Sequence, residues 1–192
     1  MDGFMNRDQA TANAQPVPVV VITGPVGAGK STVAATLCDY LGSNGTPTAL
    51  IDMDYLRWME PSPEGDRFGV RLGYRNLASI WPNLLAAGAA CVVLADVVEE
   101  MDQRTIYANL MPGSTVTIVR LDVPLHLIHT RLADRESGEA LAWHRDRAVE
   151  LQGIMESAAI GDLVIEVGDR DPAAIAAEIA DRLALLPRSA TT

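Results

Sequence analysis

Apolar positions along the chain fall into two alternating patterns. VPVVVITG (17–24) is a continuous, largely β-branched run closed by glycine, as a strand buried on both faces requires. PTALIDMD (47–54), CVVLAD (91–96), STVTIVRLD (114–122) and DLVIEVG (162–168) repeat that pattern and predict four more strands. Between them the apolar residues take helical spacing. Helices are expected over 29–42, over 66–88 in pieces broken by Gly69, Gly73 and Pro82, and over 99–110, 124–136, 139–157 and 171–186. Proline opens the helix at 124–136, an Asp-Pro cap opens the last, and Pro112-Gly113 makes a turn. Strands separated by helices predict an α/β domain with a five-stranded parallel sheet over 17–186. Residues 1–16 and 187–192 read as flexible tails.

One connection is unlike the others. After the first strand the chain reads GPVGAGKST, which fits G-x-x-x-x-G-K-[ST] with Gly24, Gly29, Lys30 and Ser31. Gly24, Pro25, Val26, Gly27, Ala28 and Gly29 form a loop between strand and helix, the setting in which backbone N–H groups turn inward onto phosphate oxygens. Lys30 is placed to reach the β- and γ-phosphates, and the Ser31 hydroxyl, with Thr32 beside it, to meet a Mg²⁺ ion. Lys30 is also the only lysine in the chain, against fourteen arginines. A compact ammonium on a flexible stem can follow phosphates through a transfer, where a planar guanidinium imposes its own geometry. A nucleoside triphosphate with Mg²⁺ is therefore the expected ligand.

Composition narrows the partners. The net charge of −10 repels nucleic-acid backbones, so a general nucleic-acid binder is excluded. Apolar runs fall far short of the roughly 20 residues that span a bilayer. The polar start without an apolar h-region predicts no signal peptide and a cytoplasmic protein. Cys38 and Cys91 lack ligand spacing and are expected as buried free thiols. A guanine-reading N-K-x-D is impossible with the one lysine already in the loop, so a GTPase is excluded.

Beyond the loop, three segments carry a resemblance. IDMD (51–54) ends the second strand in Asp-x-Asp, LDVPLHLIHTRLADRESG (121–138) follows the fourth strand, and VGDRDP (167–172) follows the fifth. With GPVGAGKST they resemble the P-loop small-molecule kinases: shikimate kinase, gluconate kinase, adenylylsulfate kinase and chloramphenicol phosphotransferase. The loop is likewise similar to the nucleoside-triphosphate site of AAA-type domains. The resemblance implies a three-layer P-loop NTPase fold, sheet order 2-3-1-4-5, with a short helical lid. It implies that the nucleotide is ATP, that Asp52 helps hold Mg²⁺ and that Asp54 contacts the acceptor hydroxyl and takes its proton. It implies that Arg131 and Arg135, one helical turn apart, cover the adenine and the transferring phosphoryl group. It places Arg170 in the adenine-side loop. Arg145 and Arg147 are further lid candidates or, with Asp146 and Glu150, a solvated helix face.

Asp96 ends the third strand and reads as a Walker-B partner of Mg²⁺, as a wall of the acceptor pocket, or as a strand cap. Arg67, Arg71 and Arg75 recur every four residues near Trp58, Phe68, Tyr74 and Trp81. A helix would align them toward an anionic or ring-bearing acceptor, or lay them on the surface. Arg71 and Arg75 are the expected acceptor ligands of this set. The glycine triplet and Phe-Arg signature of shikimate kinase are absent. The function expected is ATP-dependent transfer of phosphate to a small-molecule hydroxyl or phosphate. The alternatives are a nucleoside or nucleotide kinase and a P-loop ATPase switch.

Overall fold

The computed structural model describes residues 15–186. The expected tails lie, for 1–14 and 187–192, outside the described residues. Five strands form one parallel sheet: β1 (Val17–Thr23), β2 (Thr48–Asp52), β3 (Cys91–Ala95), β4 (Ser114–Asp122) and β5 (Leu163–Glu166), in the order β2-β3-β1-β4-β5. The expected strand order is borne out.

Side-chain alternation along β1 divides the core. Val20 and Ile22 face one layer with Leu37 and Leu41 of α1 (Lys30–Ser43) and Ile175 and Ile179 of α7 (Pro172–Arg182). Val19 and Val21 face the other, with Leu77 and Trp81 of α3 (Val70–Ala86) and Tyr107 of α4 (Gln103–Leu110). All of these β1 residues are buried, which is why the strand reads as an unbroken apolar run. The remaining helices are α2 (Met53–Arg57), α5 (Leu125–Arg135) and α6 (Gly138–Ser157), and α5 packs against α6.

Two elements depart from expectation. Pro82 does not break α3, although it removes a backbone donor. Buried Trp81 holds that turn in place, its Nε1–H donating to the Pro112 carbonyl at 3.1 Å. The second strand stops at Asp52 rather than running to Asp54. The Asp52 carboxylate accepts the Asp54 N–H at 3.0 Å and caps α2, so the chain turns helical at once. Asp54 therefore stands in the first turn of α2, not on a strand.

Candidate functional site

The loop between β1 and α1 is set by glycines in conformations other residues avoid. Gly29 has φ 92° and directly precedes α1, turning the chain into the helix. Gly27 has φ 82°, and a Cβ there would come within 3.0 Å of Leu132 and 3.1 Å of Ile128, so α5 closes directly over the loop. Lys30 Nζ folds back on the loop, donating to the Gly24 and Pro25 carbonyls at 3.1 and 3.2 Å. Burial lowers the pKa of the Lys30 ammonium; the carboxylates of Asp54, Asp96 and Asp52 oppose that fall. Three acidic groups thus converge on one lysine.

Ser31 Oγ donates to Asp52 Oδ2 at 2.6 Å. Among the described residues no three His, Cys, Asp or Glu side chains gather into a metal cage. A hydroxyl and a single carboxylate suit Mg²⁺, which keeps several waters and takes other oxygens from substrate phosphates. The donor set fits that ion and not a structural metal.

A cavity of about 910 Å³ opens from the loop, lined by Gly29, Lys30, Ser31 and Thr32 at one end and by Asp54 and Asp96 further along. Asp52 is not part of its wall; it accepts the Ser31 hydroxyl and lines a smaller cavity with Ser31. Asp96 is buried and fully engaged. It accepts from Arg57, from Tyr107 Oη at 2.7 Å and from the Val97 N–H at 2.8 Å. Burial pushes its carboxyl above the ordinary value, against the pull of the Arg57 guanidinium and of Tyr107. Arg57 also lies 3.8 Å from Asp54 and donates to the Met53 carbonyl at 3.1 Å.

Arg57 is the residue that sequence reasoning missed. Its signal was available: it follows Asp54 by three positions, one turn of α2. The arginines at 67, 71 and 75 lie elsewhere. Arg67 precedes α3, and its guanidinium stands 5.3 Å from the Phe68 ring centre, so the four-residue spacing is not carried by one helix. Arg71 donates to the Gly65 carbonyl at 2.9 Å, and neither Arg71 nor Arg75 lines the cavity. Phe68 and Tyr74 do line it, whereas Trp81 is core and Trp58 is exposed.

On the opposite wall, Arg131 donates to the Ala28 and Gly168 carbonyls at 3.3 and 3.4 Å, tying α5 to the loop after β5. Arg135 lines the cavity, but its Nε and Nη2 are held by Glu136. Glu136 in turn meets His144. Arg147 lines the cavity between Glu150 and Glu99, while Arg145 reaches the His129 carbonyl. Trp143, which the sequence did not single out, lines the cavity and is half exposed. Arg170 bonds Glu178 and the Glu166 carbonyl, outside the cavity. No described helix is long and apolar enough to cross a membrane.

Comparison with known proteins follows the same lines. No curated protein matches the chain. Solved structures do, with low identity. A sugar kinase from Janibacter is 19% identical over 90% of this chain and 100% of its own, with a TM-score of 0.61. The tunicamycin resistance protein of Deinococcus radiodurans is 19% identical over 89% and 99%, also at 0.61. A shikimate kinase from Acinetobacter baumannii is 18% identical over 88% and 94%, at 0.55. The shared fold is that of the P-loop kinases, as the strand order and the loop at the end of β1 require. The family model described as an AAA domain matches residues 19–153, which include the P-loop, Asp52, Asp54, Arg57, Asp96, Arg131 and Arg147, and the chain belongs to that family.

Proposed function

We propose that the protein is an ATP-dependent phosphotransferase that moves the γ-phosphate to a small-molecule acceptor with Mg²⁺. One observation carries the reading: the P-loop opens into the same cavity as Asp54, Phe68 and Tyr74, so a donor site and an acceptor-sized chamber are continuous. An ATPase switch has no use for the second chamber.

The loop backbone and Lys30 hold the β- and γ-phosphates. Ser31 and Asp52 hold Mg²⁺, which supplies charge neutralisation on the phosphate oxygens. Asp54, exposed at the cavity wall, orients the acceptor hydroxyl and accepts its proton as the acceptor oxygen bonds to the γ-phosphorus and the bond to the ADP oxygen breaks. Arg131 offsets charge from the α5 side. Arg135 joins it once it releases Glu136, a lid movement of one side chain. Asp96 acts through Arg57, holding it beside Asp54.

The test is transfer of labelled γ-phosphate from ATP into a broad metabolite pool, with Lys30→Ala and Asp54→Asn as controls. Transfer that both variants lose supports the reading. ATP hydrolysis unaffected by every small molecule, with a stable protein partner, favours the switch instead.

A further inference from the structure

Five cationic side chains line the cavity, and they divide by partner. Lys30 and Arg131, at the phosphate end, donate only to backbone carbonyls. Arg57, Arg135 and Arg147 are each held by carboxylates: Asp96, Glu136, and the pair Glu99 and Glu150. The two cavity-lining cations free of carboxylates therefore both lie at the phosphate end. Among the lining carboxylates the balance reverses. Glu100 and Asp102 also line the cavity, and among the described residues neither forms an ion pair.

Arg135, once it releases Glu136, is taken by the transferring phosphoryl group, so an anionic acceptor would have to take Arg57 from Asp96 or Arg147 from Glu99. The first exchange strands a carboxylate whose side chain is only 3% exposed. The second leaves Glu99 beside Glu100 with its counter-charge removed. The first exchange is costly because the carboxylate is buried; the second, on the exposed rim, sets like charges side by side.

Apolar surface lines the same cavity. Phe68, Val70, Ile106 and Trp143 are among the exposed large hydrophobic residues of the described chain, and all four line this cavity. Exposed aromatic faces beside a few placed polar groups mark a ligand wall rather than ordinary surface. Arg67 already stands over the Phe68 ring.

We infer that the acceptor is a ring-bearing hydroxyl compound with no anionic group, either neutral or carrying a protonated amine. The ring lies against Phe68 and Trp143, and an amine meets Glu100 or Asp102. The inference rests on the phosphotransferase reading and names its substrate class. The acceptor O–H loses its proton to Asp54, the oxygen gains the γ-phosphoryl group, and ADP leaves with the former bridging oxygen. The product then carries about two new negative charges against a carboxylate-bearing wall, which favours its release.

The experiment divides a metabolite extract at pH 7 by anion exchange into bound and unbound portions. Each is incubated with the protein, Mg²⁺ and ATP labelled in the γ-phosphate. At least ten-fold more transfer into the unbound portion is expected. Most of the label in the bound portion overturns the inference and leaves the phosphotransferase standing. No transfer into either portion overturns the phosphotransferase reading, and the inference with it. Glu99→Gln leaves Arg147 with Glu150 alone, on the exposed rim, so a fold defect is not expected. That variant is expected to raise the bound portion's share several-fold; an unchanged share overturns the charge argument.

Discussion

Two aspartates that follow neighbouring strands, β2 and β3, have opposite environments, and that separates the roles proposed for them. Asp54 has its side chain 81% exposed, while that of Asp96 is 3% exposed and holds Arg57. On the proposed function, Asp54→Asn removes the group that takes the acceptor's proton, and it removes nothing from the core. Turnover is expected to fall about 10²–10⁴-fold, with the melting temperature and ATP binding unchanged; calorimetry beside a transfer assay reads both. Asp96→Asn leaves Arg57 with only the exposed Asp54, 3.8 Å away, as counter-charge, and the expected loss is up to about 3–5 kcal/mol of stability, read by denaturant unfolding. A stable Asp96→Asn protein would show that Arg57 finds another partner. The sequence put both aspartates at strand ends facing the phosphate site, and for the carboxyl end of the sheet that was enough. It did not distinguish them, because exposure depends on α2 and α4, which carry Arg57 and Tyr107 to Asp96 from outside the strand. The loop glycines and Lys30 were legible for the opposite reason: a turn conformation and a charge are local properties of the chain.

Among the elements, the α2–α3 junction decides where Arg57 stands. Gly69 has φ 62° and precedes α3, and a Cβ on it would sit 2.5 Å from the Arg57 carbonyl oxygen. Gly73, one turn on, comes within 3.3 Å of the Arg57 Cβ by the same measure. The sequence presents these glycines as interruptions of a helix; in the fold they are where α3 comes close enough to seat α2. Gly69→Ala combines backbone strain of about 1–3 kcal/mol with displacement of Arg57. It is expected to lower stability and to weaken acceptor use more than ATP binding, as separate titrations would reveal. The strands and their order were legible because a buried parallel strand needs an apolar run wherever it lies. The ends of α2 and α3 were not, since an Asx cap and a glycine contact override spacing. At the far side, α7 carries Glu178, which Arg170 chiefly, and Arg182, hold below the usual glutamate range. A folded value below the unfolded one, about 4.3, means that this stabilisation is complete above that pH and is lost as pH falls through the folded value. The gap in melting temperature between the native chain and Glu178→Gln is therefore expected to be widest at neutral pH and to close in acid.

For the molecule as a whole, the two cores and the site share one sheet, so nucleotide binding must register as global stability. The loop begins where β1 ends, and α5 closes over it through Ile128 and Leu132, both members of the core on that face of the sheet. A ligand that binds only the folded loop adds about 2.7 kcal/mol at a hundred times its dissociation constant. A chain of this length shifts its melting temperature by about 2–4 °C per kcal/mol, so a non-hydrolysable ATP analogue with Mg²⁺ is expected to raise it by about 5–11 °C. Lys30→Ala should lose most of that shift while melting alone at nearly the native temperature, because Nζ bonds only the loop's own carbonyls. The same burial that lowers the Lys30 pKa favours a partner of opposite charge, and the phosphates supply it where the loop carbonyls cannot. Equal shifts in the native and Lys30→Ala proteins would place the nucleotide away from the loop and undo the donor assignment. A shift seen only in the native chain ties the chemistry to the one position where this arginine-rich sequence keeps a lysine.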